Sequence, residues 1–299
     1  MERVRAAGGV VWVLPSDTSW AYTEAIAALQ DAWRQGAGGM ELVILKPQDL
    51  PAESPPTAVV TLGGAALRWV RERAASQASW ARVPLICALL PRDGFTAIWK
   101  RPPSTVSAAY LDQSVHRYLM LVRLAMPRLN KVGVLLHEDA MEQREVLIRE
   151  AQQHGVKLAI GVVSTPGSLS AALREVMAEV DVLLILPDSR VADPSAVQHM
   201  LMTAYRQRIP VLAYSPALVK AGAALGLYAS PAQVGRQVAG MLRTGLGAGG
   251  TSAVVDWPAS RSADAFTVAV NEQVCRSLGL DVPSVATLTD ALQREENKR

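Results

Sequence analysis

The chain is poor in aromatics, in cysteine and in long apolar runs. Aromatic residues make up 5% of its 299 positions, and only two are phenylalanine. The core must therefore be built from Ala, Val and Leu, which suits buried parallel strands covered by helices. Two cysteines, Cys87 and Cys275, are too few for a disulfide framework. Cys87 lies in the apolar run "VPLICALL" and reads as a buried small hydrophobe. With no CxxC and no Cys/His cluster in the sequence, no metal site and no cofactor are expected. No apolar run is long enough for a membrane-spanning helix. After "MERVRAAGG" the apolar stretch is only "VVWVL", too short for the core of a signal peptide. The chain is thus either cytosolic or begins after a removed leader.

Charge is also scarce, at 19% of residues, with a net charge of +3 and half of all residues hydrophobic. Such a composition buries a sizeable core and argues against disorder. The positive charge is scattered: Arg68, Arg71 and Arg73 share one expected helix, and Lys100 and Arg101 one loop. No basic stripe interleaves with aromatics, so nucleic acid is not an expected partner.

Short apolar strands alternate with amphipathic helices almost throughout. Strands are expected at 9–14, 40–47, 57–62, 83–90 and 106–111, with helices at 18–36, from Gly63-Gly64 onward, and after Ser114 to Pro127. The pattern then restarts with a strand at 131–139 and a helix at 140–154. Further strands are read at "VKLAIGVV", "VDVLLILPD", "IPVLAYS" and "AALGLY", with helices between them. Asp193 or Ser195 caps one helix with Pro194 in its first turn, and Ser230 with Pro231 opens another. "GLGAGG" reads as a turn, "SAVVDWP" and "FTVAVN" as late strands, Glu272 as the start of a last helix, and "QREENKR" as a frayed tail. Two successive units imply an α/β protein of two doubly wound, mostly parallel lobes joined by a hinge. The expected division is 1–128 with 229–247, and 129–228 with 248–299. Ligands of such sheets bind beyond the carboxyl ends of the strands, here in a cleft that closes around a solute.

Polar residues collect at those ends. The stretch "WVLPSDTSWAYTE" (12–24) passes from strand to helix through Ser16, Asp17, Thr18 and Ser19, with Trp20 and Tyr22 beyond. Thr61, Gly63 and Gly64 follow the third strand, and Pro91, Arg92 and Asp93 the fourth. The second half supplies His137, Glu138 and Asp139, then Asp188, Ser189 and Arg190, then Tyr214 and Ser215. Hydroxyls and helix N-termini could hold a carboxylate. Asp188 or Asp139 could meet an ammonium group, and Trp20, Tyr22 or Tyr214 could cover an apolar body. Each also has a plain structural reading. Asp17, Thr18 and Ser19 are ordinary helix caps, Asp188 can cap its own loop, Tyr22 can be core, and His137 can pair with a neighbouring carboxylate. No GxSxG, GxxxxGK[ST], HExxH or GxGxxG pattern is present, so an enzyme is not expected.

Residues 181–246 resemble the ABC transporter substrate-binding protein family that includes tryptophan- and tyrosine-binding members. The motifs are "LPDSRV", "IPVLAYSPALVKAGAALGLY" with its Lys-x-Gly-Ala ending, and "VGRQVAGMLRTGL". Upstream, "VPLICALLPRDG" and "YLDQSVHRYLMLVRLAMPRLNKVGVLL" are similar to the family's Pro-led strand and its crossover; near the end, "VAVNEQVCRSLGLDVP" is like its closing element. The resemblance covers most of 83–283 and weakens before it. It implies a type I periplasmic-binding-protein fold, a periplasmic or lipid-anchored location, an expected monomer, and delivery of a small organic solute to an ABC permease. An amino acid or related acid would be held at Ser16–Ser19, Thr61–Gly64, Leu90–Arg92, Asp188 and Tyr214–Ser215. The loops "PPSTVSAAY" and "PRDG" depart from the family pattern, so ligand identity does not carry over. The alternative is a ligand-sensing domain of a signalling or regulatory system.

Overall fold

In a computed structural model the chain forms two compact units, 1–111 with 229–265 and 112–228 with 266–299. The structure describes residues 9–36, 40–46, 49, 55–247 and 257–298. The expected strand "SAVVDWP" lies mostly outside them, as does the second half of "GLGAGG".

The first unit carries β1 (Val10–Pro15), α1 (Trp20–Gln35), β2 (Glu41–Ile44), β3 (Ala58–Leu62), α2 (Gly64–Ser76), β4 (Leu85–Leu90), α3 (Arg92–Ile98) and β5 (Val106–Tyr110). Its five strands run in the order β2-β1-β3-β4-β5, all parallel. Alternation along β1 sends Val11 and Val13 to one buried cluster and Trp12 and Leu14 to the other. Helices cover both faces, which is why the strands read as nearly continuous apolar runs.

The second unit carries α4 (Val115–Ala125), β6 (Lys131–His137), α5 (Met141–His154), β7 (Lys157–Val163), α6 (Leu169–Met177), β8 (Val182–Leu184), α7 (Pro194–Arg206), β9 (Val211–Ala213), α8 (Pro216–Ala221) and β10 (Leu225–Tyr228). After α9 (Pro231–Leu246), which belongs to the first unit, it resumes with β11 (Thr267–Val270), α10 (Glu272–Leu278) and α11 (Val285–Glu296). The sheet order is β11-β10-β9-β8-β6-β7, with only β11 antiparallel.

Local chemistry sets the helix starts. Asp193 Oδ1 accepts from the N–H groups of Ser195 and Ala196, with Pro194 at the first helical position. Ser230 and Gln233 form a reciprocal capping box on α9.

Three expectations are corrected. The first boundary falls at 111 rather than 128, because α4 packs into the second unit's core through Tyr118, Leu119 and Leu121. Residues 257–265 join the first unit instead of the second: Tyr110 N–H donates to Arg261 O, and Ser260 Oγ accepts from Ala108 N–H. The expected frayed tail is helical through Glu296. Gly279, left-handed at φ 72°, ends α10, and Ser284 caps a separate α11 whose Leu288 and Leu292 are buried.

The packing of α9 on α1 is close. A Cβ on Gly235 would sit 2.2 Å from the carbonyl oxygen of Ala25 and 3.0 Å from the N of Leu29. Backbone cannot yield as a flexible side chain would. Gly235→Ala is expected to cost about 1–3 kcal/mol, the usual range for overpacking. Urea unfolding would read this as a lowered midpoint at unchanged slope.

Candidate functional site at the strand ends

In each unit one pair of neighbouring strands marks a reversal of chain order. In the first unit β1 sits between β2 and β3; in the second β6 sits between β7 and β8. Connections leave such a strand pair toward opposite faces, which opens a crevice outside its carboxyl ends. The polar stretches picked out in the sequence fall there: 16–20 and 63–64 follow β1 and β3, and 137–139 and 188–190 follow β6 and β8. Leu90–Arg92 and Tyr214–Ser215 lie one strand further along.

At the first unit's crevice, several residues build the crevice wall. Ser16 Oγ accepts from Ala66 N–H at 3.0 Å and so caps the first turn of α2 from 50 residues away. Asp17 Oδ1 accepts from Ser19 N–H at 2.6 Å. Gly63 is left-handed at φ 82°, and a Cβ there would meet the Tyr22 hydroxyl at 2.5 Å and Ser16 Oγ at 2.8 Å. Only glycine fits both the dihedral and the space. Burial, with a smaller contribution from Asp17, pushes the Tyr22 phenol above its ordinary pKa, against a hydrogen bond from Ser16. Thr61 is wholly buried, opposite Cys87 on the sheet face covered by α2 and α3. It does not reach the crevice. Burial pushes the Cys87 thiol up to about 12.

The outward groups are different ones. Ser19 is the N-cap of α1 but makes no side-chain capping bond, and Thr18 and Trp20 are exposed, Trp20 at 63%. The first turn of α2 opens with Gly64 and Ala65 and holds no acidic residue. At the end of β4 the register shifts between Ala88 and Leu90, and Leu89 takes a left-handed φ of 56°. Such a bulge re-aims the residues after it. Arg92 then stacks on Tyr110 with its guanidinium 4.6 Å from the ring centre.

At the second unit's crevice the centre is Arg190. Its Nε and Nη2 donate to the two oxygens of Asp188 at 2.9 and 2.7 Å, and its backbone N–H donates to Asp188 Oδ1 at 3.0 Å. Asp188 is 4% exposed and the Arg190 side chain 39%. Nη1 points to His137 Nδ1 at 3.4 Å and Asp139 Oδ2 at 3.9 Å. His137 in turn lies 3.4 Å from Asp139 and accepts from its backbone N–H at 3.2 Å. Asp188 therefore orients Arg190 and does not face outward to meet an ammonium group. Asp139, 73% exposed, is the outward carboxylate. Sequence reasoning misses the Arg190 contact of Asp188, though the i,i+2 spacing in "PDSR" carries it. Ser215 caps α8 by accepting from Leu218 N–H at 3.3 Å. Tyr214 borders a concavity of about 840 Å³ within the second unit, walled by Val197, Leu201 and Tyr205 of α7, Leu218 of α8 and Val274 of α10.

These two sheets define a type I periplasmic-binding-protein fold. Residues 77–291 match the family model for ABC transporter substrate binding proteins, and the chain belongs to that family. An ABC domain from Streptococcus pneumoniae, solved in complex with L-Trp, superposes with a TM-score of 0.61 at 14% identity, covering 94% of this chain and 98% of that one. A ligand-free, open substrate-binding protein with adhesive properties from Clostridium difficile gives 0.66 at 18% identity over 92% and 96%. A conserved domain protein from Vibrio cholerae gives 0.59 at 19% identity over 94% and 97%. No curated protein matches the sequence. The family binds substrates rather than transforming them. Among the described residues no helix is long and apolar enough to cross a membrane.

Arg190→Ala would leave the Asp188 carboxylate buried without its partner. The expected loss is about 2 kcal/mol, below the 3–5 kcal/mol of a wholly buried pair because Arg190 reaches solvent. Adding Asp188→Asn should restore part of it, and denaturant unfolding of the two variants measures both.

Proposed function

We propose that this chain is the solute-binding component of an ABC uptake transporter. It captures a small organic solute outside the cytoplasm and presents it to a membrane permease. The match of residues 77–291 to the substrate-binding family carries this reading.

The strand-end residues of each unit supply the ligand contacts. In the first unit the opening turn of α2 presents N–H groups that have no carbonyl partner within the helix, and Arg92 adds a full positive charge nearby in strand order. Neighbouring strand ends lie about 5 Å apart. The row from β1 through β3 to β4 thus spans roughly 10 Å, the length of an amino acid or similar acid. Thr18 and Ser19 offer hydroxyls, and Trp20 offers an uncovered indole face for an apolar or aromatic body. In the second unit Asp139 meets a donor on the solute, with His137 Nδ1 accepting from the Asp139 backbone N–H and Arg190 held in place by Asp188. The ligand class is an amino acid or related organic acid. The complex of the pneumococcal protein with L-Trp supports placing aromatic amino acids in the first screen.

A thermal-shift screen over amino acids, related carboxylates and sugars tests the function. A ligand at one hundred times its Kd adds about 2.7 kcal/mol. For units of this size that raises the Tm by roughly 5–10 °C. Calorimetry on Trp20→Ala and Asp139→Ala then tests the site, and each should weaken the identified ligand tenfold or more. A screen without any carboxylate hit would overturn the ligand class, and a hit that both variants bind as well as the parent would overturn the site.

A further inference from the structure

A second cluster of titratable groups stands apart from the strand ends. His116 lies in the first turn of α4, and Glu150 and His154 share one face of the last turn of α5, four residues apart. His116 Nδ1 is 2.8 Å from His154 Nε2. Glu150 Oε2 lies 3.5 Å from that His154 atom and 3.8 Å from His116 Nδ1. The side chains are 8%, 12% and 14% exposed for His116, Glu150 and His154.

These distances form a closed triangle. Ligand atoms of a tetrahedral zinc ion, bound at 2.0–2.1 Å, sit about 3.3 Å apart. The three edges bracket that value. The equidistant point in their plane lies about 2.0 Å from each, so an ion at a Zn–N bond length of about 2.1 Å stands slightly out of the plane, as a tetrahedral ion with a fourth ligand does. The donors are two imidazoles and a carboxylate, a set that suits borderline divalent ions and leaves a fourth position for water. The shell outside them holds the ligands in place: Arg123 Nη1 donates to the carbonyl of His154 at 3.0 Å, and Gly155, left-handed at φ 62°, closes α5 directly behind it.

We infer that His116, Glu150 and His154 form a divalent transition-metal site, selective for zinc over magnesium and calcium, that clips the start of α4 to the end of α5. The metal joins the point where the chain enters the second unit to a helix that packs beside it. It stands apart from the strand ends proposed for solute capture, because all three ligands sit on helices and none at a strand end.

The test uses the untagged full chain, freed of metal by dialysis against a chelator. Zinc is titrated by calorimetry and against a chromophoric chelator. One zinc per chain is expected, with a dissociation constant of micromolar or tighter and a rise in Tm, while magnesium and calcium give no shift. Cobalt(II) in place of zinc should show the intense visible absorption of a four-coordinate ion. His154→Ala and Glu150→Gln, both at partly exposed positions, should each lower zinc affinity at least tenfold, whereas His199→Ala, at an exposed position away from the cluster, leaves it unchanged. Absence of stoichiometric zinc binding, or binding that both ligand variants retain in full, would overturn the site; the two imidazoles would then only share a proton.

Discussion

Burial of both faces of each sheet is the constraint from which the rest follows. All five residues of β3 are buried, and so are five of the seven in β6. A strand covered on both sides has no room for a side chain that must meet a solute. Polar side chains are therefore left to the places where the strands stop and backbone N–H groups emerge. Thr61 shows the rule from the inside. It is a hydroxyl one residue from the end of β3, yet it lies wholly within the sheet opposite Cys87. The Gly63-Gly64 step just beyond it is the first that can face outward.

Being at a strand end does not by itself make a residue a ligand contact. Ser16, Asp17 and Asp188 are each satisfied by the protein: one caps α2, one turns the chain into α1, and one holds Arg190. A buried carboxylate with a bidentate guanidinium partner is costly to break, so it fixes the arginine's direction. Gly63 plays a comparable part through shape, since its missing side chain lets the Tyr22 hydroxyl and Ser16 approach each other. Within each unit these residues hold the strand-end loops in place. Trp20, Thr18, Ser19 and Arg92 in the first unit and Asp139 in the second are exposed at these ends.

Much of this was legible in the sequence because parallel α/β units write themselves as alternating apolar strands and amphipathic helices. The caps at Asp193 and Ser230 were legible too, since an Asp or Ser directly before Pro pairs a side-chain acceptor with a first helical residue that lacks an N–H. What stayed hidden was long-range or short-period. The Asp188–Arg190 pair is local, but "PDSR" reads equally as an unpaired loop. Helix α3 spans only seven residues after Pro91, too short for its period to show. The division near 111 was hidden because α4 follows β5 as any covering helix would. Only its packing against strands of the later sheet, through residues such as Tyr118 and Leu121, assigns it to the second unit.

Helix α4 also shows how a polar cluster can sit unseen in an apolar segment. Gln113, His116 and Arg117 are three of the seven buried polar residues among those described, and they fall within five positions of each other. Each has a partner from elsewhere in the chain or its own turn. Arg117 is paired with Glu296 of α11 and donates to Gln113 Oε1 at 2.7 Å, and its guanidinium lies 5.2 Å from the ring centre of Phe266. His116 meets Glu150 and His154 of α5. Burying polar groups is unfavourable unless every one is matched, so such a concentration is stable only with fixed partners. The first turn of α4 is thereby tied to two other helices by directional bonds, while the later turns add the apolar contacts of Leu119, Leu121 and Val122 and one further hydrogen bond, from Arg123 Nη1 to the His154 carbonyl. Apolar contact tolerates sliding, whereas a hydrogen-bonded turn has one register.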